Sequence, residues 1–282
     1  MPSIVTLDIF SGRMNPAWVV SDEQVVELKR KARPGAGVGP LSLLGYRGFQ
    51  VNPIASEHGP PAPRLEGFAL GANGAVVAGQ RDAEDFLLST AAGHIDAQLR
   101  AYVREAIARG PDMAAIQAAA ATASTIIVDC PICHAADAPT YNPGSWNMPA
   151  RQPSNNCYNY ANDQQTSTFA QPGRATGHMY TSFTCPSVQA GATSDGLHAV
   201  PNFSGTLHTR QGWYVALAIW PNVDYHWYRQ DIVGCWSHKP GLAPANNTDN
   251  SGHPITDPKT CNRGNYTDFC TYMVTTRQVH IS

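Results

Sequence analysis

The sequence predicts a mixed α+β protein in two parts, and three observations carry that expectation. All seven cysteines (Cys130, Cys133, Cys157, Cys185, Cys235, Cys261 and Cys270) fall after residue 129, so the two halves differ in chemistry. The first 110 residues alternate short strand-like runs with amphipathic helical stretches. The second half holds a long apolar run, 213–220, joined by a tight turn to an aromatic-rich run, 225–230, which is the pattern of consecutive antiparallel strands. The expected organisation is an N-terminal α+β module over 1–110, an Ala-rich linker over 111–124, and a Cys-rich domain over 125–282. In that domain a helix headed by a cysteine packs on an antiparallel sheet.

The elements follow in order. Ile4-Val5-Thr6-Leu7-Asp8-Ile9-Phe10 reads as a strand, and Ser11-Gly12-Arg13-Met14-Asn15-Pro16 as a turn. That turn has the look of a signature, with Arg13 bracing it and ligand binding as the alternative. Ser21-Asp22-Glu23-Gln24 is a capping box opening a helix to about Arg33, with Val25, Leu28 and Ala32 on its buried face. Tyr46–Val51, Gly67–Leu70 and Ala75–Ala78 read as strands, with a hairpin at Asn73-Gly74. Asp82 and Asp85 are candidate caps for a helix carrying Phe86 and Leu87. A longer helix runs from about His94 to Ala108 and stops at Gly110-Pro111. Beyond the linker, Thr125–Val128 is strand-like, 169–187 is irregular, and Gly212–Trp220 is a buried strand. Pro221–Asp224 turns the chain into a second strand opening near His226, and Cys235–Gly241 supplies a third.

Composition narrows the function. Net charge is −2 with no basic run, which argues against nucleic acid as partner. No stretch of eighteen apolar residues exists, so no membrane span is expected. Seven cysteines, few charges (14%) and three Asn-x-Ser/Thr sequons (Asn202, Asn246, Asn265) suit secretion, although the N-terminus lacks signal-peptide features and a cytoplasmic location is the alternative. No phosphate-binding loop is present and no cofactor is expected. An odd cysteine count leaves one thiol over when six pair.

Chemistry concentrates at Ser154-Asn155-Asn156-Cys157-Tyr158-Asn159. Asn is a strong N-cap, which would put Cys157 at the positive end of a helix, where a thiolate is favoured. The other reading of Cys157 is a buried structural residue or half of a disulfide. A nucleophilic thiol needs a base, and His226 is the best placed of ten histidines, followed by His198 and His238. Cys130-Pro131-Ile132-Cys133-His134 has the spacing of a zinc knuckle but lacks a second one, so disulfides are the preferred reading there.

A Cys-headed helix followed by a sheet whose second strand carries His resembles the papain-like superfamily. Within it, His226-Trp227, Gly234-Cys235-Trp236 and Asp257-Pro258 are similar to the His-x-Trp, Gly-Trp and Asp-Pro signals of the transglutaminase-like branch. The resemblance spans about residues 150–260, and residues 1–110 have no counterpart. It implies a papain-like or transglutaminase-like domain in which Cys157 attacks an amide carbonyl, His226 shuttles the proton and Asp257 orients the imidazole. Asn246 and Asp249 compete with Asp257 for that role. Asn155 or Gln152 would help hold the oxyanion, and Trp227 and His238 would line a substrate cleft.

Two functions from different classes result. The first is a thiol-dependent hydrolase or acyltransferase, a cysteine peptidase, amidase or transglutaminase-like enzyme acting on a peptide, protein or cell-wall substrate. The second is a non-catalytic, secreted, disulfide-stabilised binding module whose crowded aromatics (Trp213, Tyr214, Trp220, Tyr225, Trp227, Tyr228, Trp236) form a ligand platform.

Overall fold

The computed structural model describes residues 2–32, 42–54, 68–70, 80–110 and 130–282. The expected strands at 75–78 and 125–128, the 73–74 hairpin and the Ala-rich linker lie outside these residues. The chain divides into two compact units. The first comprises residues up to Ile9, Asn15–Leu41 and Tyr46–Asp112. The second comprises Phe10–Met14, Ser42–Gly45 and the chain from Met113 onward. Both mix helices with antiparallel sheet, so the protein is α+β.

In the first unit β1 (Ser3–Asp8) pairs with β2 (Ala17–Val20) on one side and β3 (Gly48–Pro53) on the other, and β3 pairs with β4 (Phe68–Leu70). The order β2-β1-β3-β4 is antiparallel throughout. Val5, Leu7, Trp18, Val20, Phe49 and Val51 are buried, as the period-two pattern of a half-covered sheet requires. Helix α1 (Asp22–Lys31) starts at the expected capping box: Gln24 N–H donates to the Ser21 hydroxyl, and Ser21 N–H donates to Gln24 Oε1. Helix α2 (Arg81–Thr90) begins at Gln80 without a side-chain cap, so Asp82 and Asp85 sit inside the helix rather than capping it. Helix α3 (Ala97–Arg109) is capped by Asp96, which accepts from Leu99 N–H, and ends at Gly110 with φ of 74°. Asp8 and Arg47 form a fully buried ion pair, Nη2 to Oδ1 at 2.6 Å.

The second unit is built on a five-stranded antiparallel sheet of order β5-β9-β6-β7-β8. Its strands are β5 (His198–Val200), β6 (Trp213–Trp220), β7 (Asp224–Gln230), β8 (Trp236–His238) and β9 (Asp268–Thr275). The three successive strands β6, β7 and β8 form the expected meander, while β9 returns to pair with the other edge of β6. All seven residues of β7 are buried. Its start lies at Asp224, which moves His226 from the strand opening to its third position, opposite Ala218. Around the sheet stand α4 (Pro143–Trp146), α5 (Cys157–Ala161) and α6 (Cys185–Ser194). Helix α5 packs against β7. Helix α6 occupies part of a stretch expected to be irregular, because Pro186 at its first turn pre-sets the backbone for a helix.

Two disulfides tie this unit, Cys130–Cys235 and Cys185–Cys270. Each closes a loop of the order of 100 residues, which removes on the order of 4 kcal/mol of unfolded-chain entropy. Cys133, Cys157 and Cys261 are thiols. The expectation of a single leftover cysteine is therefore corrected to three. The crowded aromatics are corrected as well. Trp213, Trp227 and Trp236 are fully buried, and Tyr214, Tyr225 and Tyr228 are no more than 2% exposed, so they are core rather than a ligand platform.

Candidate functional site

The Phe10–Met14 segment and the N-terminal ends of α5 and β7 meet in one buried polar cluster. Asp224, the first residue of β7, is fully buried and holds the turn. Its Oδ2 accepts the N–H of Ser11 (2.6 Å) and of Gly12 (3.2 Å), and its Oδ1 accepts the N–H of Arg13 (3.0 Å). The Tyr266 hydroxyl donates to Oδ2 at 2.6 Å. Burial raises the Asp224 carboxyl above the ordinary aspartate range, and these donors oppose the rise. A Cβ at Gly12 would overlap the Tyr225 ring, so only glycine fits there without a shift. The Gly12 carbonyl accepts from Asn156 Nδ2 (2.8 Å) and Gln171 Nε2 (2.9 Å).

Asn156 caps α5 as expected. Its Oδ1 accepts from Tyr158 and Asn159 N–H, and Asn159 Oδ1 accepts from the Asn156 N–H, completing a capping box. Cys157 is the first residue of this five-residue helix and is wholly buried. Its environment reverses the expected shift. Burial, and next the nearby Asp224 carboxylate, push the thiol up to about 12, while the Ser11 hydroxyl and the Trp227 backbone N–H only partly offset them. A single helical turn cannot outweigh removal from water plus a neighbouring anion.

Ser11 stands between the two residues picked out from the sequence. Its hydroxyl reaches the Cys157 thiol and lies 2.5 Å from His226 Nδ1. His226 Nε2 is 2.8 Å from His238 Nδ1, and His238 Nε2 is 3.1 Å from the Thr248 carbonyl. A carbonyl only accepts, so His238 carries its proton on Nε2. With both rings neutral, His226 then donates from Nε2 to His238, and Ser11 donates to His226 Nδ1. One hydrogen-bond direction satisfies the whole chain from Ser11 to Thr248, and all of its side chains are buried.

The other residues singled out from the sequence have different partners. Asp257 Oδ1 accepts from the Tyr272 hydroxyl (2.5 Å) and from Lys259 N–H (2.8 Å). Asp249 staples its own loop through the N–H groups of Ser251, His253 and Asn262. Asn246 pairs backbone to backbone with His238, and its side chain donates to the Ser42 carbonyl. His198 is exposed on β5, with β9 and β6 between it and β7. Asn155 Nδ2 donates to the Arg151 carbonyl, and Gln152 Nε2 to that of Leu242. Trp227 packs on Tyr158 with ring centroids 5.3 Å apart. Cys130 is committed to its disulfide, and among the described residues no three His, Cys, Asp or Glu side chains are grouped to hold a metal.

Sequence reasoning missed four parts of the cluster: Ser11, Asp224, Gln171 and Lys239. Lys239 is fully buried, and its ammonium donates to the carbonyls of Gln152 (2.7 Å), Asn155 (2.5 Å) and Gly241 (2.6 Å). The Ser11-Gly12-Arg13 turn was the available signal, since its unusual composition stood out without an assignable chemistry.

A protein named insoluble matrix shell protein 1, from Ruditapes philippinarum, is 47% identical to this chain over 131 residues, which is 46% of this chain and 84% of the relative. The chain belongs to that protein's family. No family model and no solved structure matches it. The relative is named for a shell matrix and not for proteolysis, which overturns the description of the chain as a hydrolase or thiol protease with a cysteine nucleophile and catalytic dyad. The disulfides remain. Among the described residues no helix is long and apolar enough to cross a membrane.

Proposed function

We propose that this chain is a non-catalytic, secreted structural protein that takes part in an insoluble extracellular matrix. The observation that carries this reading is the 47% identity to insoluble matrix shell protein 1 across 84% of that protein. Two disulfides support an oxidising destination. The dense burial around Cys157 supports a structural role for that thiol, since burial disfavours the thiolate that nucleophilic chemistry requires. On this reading the Ser11–His226–His238 chain pins the Phe10–Met14 segment within the second unit, and the partners are other matrix components rather than a peptide substrate.

The test is retention. The oxidised chain, mixed with demineralised shell matrix, is expected to stay in the insoluble fraction through salt washes and to turn over no peptide-amide substrate. Recovery in the supernatant together with iodoacetamide-sensitive amide hydrolysis would sink the proposal.

A further inference from the structure

Within the second unit an open cleft of about 610 Å³ lies beside the buried cluster. That volume is in the range of small-molecule sites. Two arginines line it, Arg13 and Arg174, and no acidic side chain does so among the described residues. Arg13 is held in place. Its guanidinium carbon stands 4.4 Å from the Phe10 ring centroid and 5.0 Å from that of Phe183, and Nη1 donates to the Val223 carbonyl at 3.1 Å. Arg174 is exposed and donates from Nη2 to the Thr168 carbonyl at 2.9 Å. Neither has an ion pair with a described carboxylate. Both line the same cleft as Tyr180, whose hydroxyl also feels the buried Asp224 carboxylate behind the wall.

The remaining walls set the body of the ligand. Tyr180 and Phe183 present half-buried rings 5.3 Å apart, and Thr181, Ser182 and Asn222 add polar groups. The Tyr180 hydroxyl donates to Gln171 Oε1, which fixes its ring. A guanidinium fork matches a carboxylate or sulfate, and aromatic faces suit the C–H faces of a sugar ring. The lining residues belong to loops and turns, not to a strand edge on which an extended acidic peptide would add. We infer that this cleft binds an anionic saccharide, its carboxylate or sulfate held between Arg13 and Arg174 and its ring laid against Tyr180 and Phe183. The inference stands on the cleft alone and does not depend on the matrix reading.

The test is calorimetric titration of the intact oxidised chain with a uronic-acid tetrasaccharide, a sulfated tetrasaccharide, a neutral N-acetylglucosamine tetramer and an acidic hexapeptide. At least one anionic saccharide is expected to bind at least about tenfold tighter than the neutral one, with affinity falling as salt rises. Whichever anionic sugar binds tighter identifies the group held. Arg174→Gln is expected to weaken that binding about tenfold without moving the melting temperature, because Arg174 is exposed. Arg13→Lys keeps the charge and should still weaken binding by losing the planar fork. Equal binding of the neutral tetramer, preference for the acidic peptide, or unchanged affinity in Arg174→Gln would each overturn the proposal. Failure here with retention in the matrix intact would leave the structural role standing, and the reverse would leave the saccharide site.

Discussion

The buried thiol at the head of α5 makes a measurable demand on stability at alkaline pH. An exposed cysteine titrates near 9, whereas Cys157 in the folded chain is pushed up to about 12, with burial as the first cause and the Asp224 charge as the second. The folded state therefore holds this proton more tightly than the unfolded chain does. The associated stability is present in full below pH 9 and is lost as pH rises from 9 to 12. The whole three-unit gap corresponds to about 4 kcal/mol, of which roughly 1.4 kcal/mol is gone by pH 10. Cys261, also pushed up to about 12 by burial, adds a similar slope, so the wild-type curve alone does not isolate Cys157. Comparison with Cys157→Ala does. Urea unfolding at pH 8, 9 and 10 should be followed by tryptophan fluorescence, because five of the six tryptophans (Trp146, Trp213, Trp220, Trp227, Trp236) lie in the second unit. Mass spectrometry should confirm that both disulfides survive each incubation. The advantage of wild type over Cys157→Ala is expected to shrink by about 1.4 kcal/mol between pH 8 and pH 10. A constant difference would mean that the thiol titrates alike in both states and that burial does not govern it. A growing one would mean that the helix end stabilises a thiolate after all.

Three further perturbations probe the same unit. Asp224→Asn turns one acceptor oxygen into a donor facing the N–H groups of Ser11, Gly12 and Arg13, and should cost about 2–4 kcal/mol in urea unfolding; a change below about 0.5 kcal/mol would show that the carboxylate does not hold the turn. Gly12→Ala drives a methyl into the Tyr225 ring and should cost about 1–3 kcal/mol, with altered proton shifts for Tyr225 in NMR spectra; a neutral result would mean the ring moves freely. The double change Cys185→Ala with Cys270→Ala removes one cross-link and should lower stability by about 2–5 kcal/mol in calorimetry, and an unchanged melting temperature would argue against that pairing.

Local signals in the sequence carried a large part of the secondary structure. The Ser21–Gln24 capping box and the Asn156 cap each depend on partners within three residues, so their chemistry is visible in a short window. The apolar run at 213–220 and the aromatic-rich run at 225–230 likewise declared the central strands, and the tight turn between them declared their antiparallel pairing. From its composition the tail at Tyr266–Val274 admits either a short helix or a strand, and the structure makes a strand of Asp268–Thr275. Its pairing with β6 and β5 decided for strand, because the ladder supplies partners that the segment lacks by itself. Sequence reasoning also picked out Cys157 and His226, but it could not supply Ser11, which comes between them from 215 residues before His226.

The sequence by itself determined the α+β character, the starts of α1 and α5, the central hairpin and the confinement of sulfur chemistry to the second half, since all of these rest on neighbours along the chain. Only the tertiary structure decided which cysteines pair, that the aromatics are core, that Asp224 gathers the Ser11–Arg13 turn, and that Cys157 keeps its proton. The physical reason is that helix-end electrostatics act over a few residues and can be read locally. Desolvation and hydrogen bonding of the same thiol depend on groups brought from residues 11, 224 and 227, and burial is set by the whole fold.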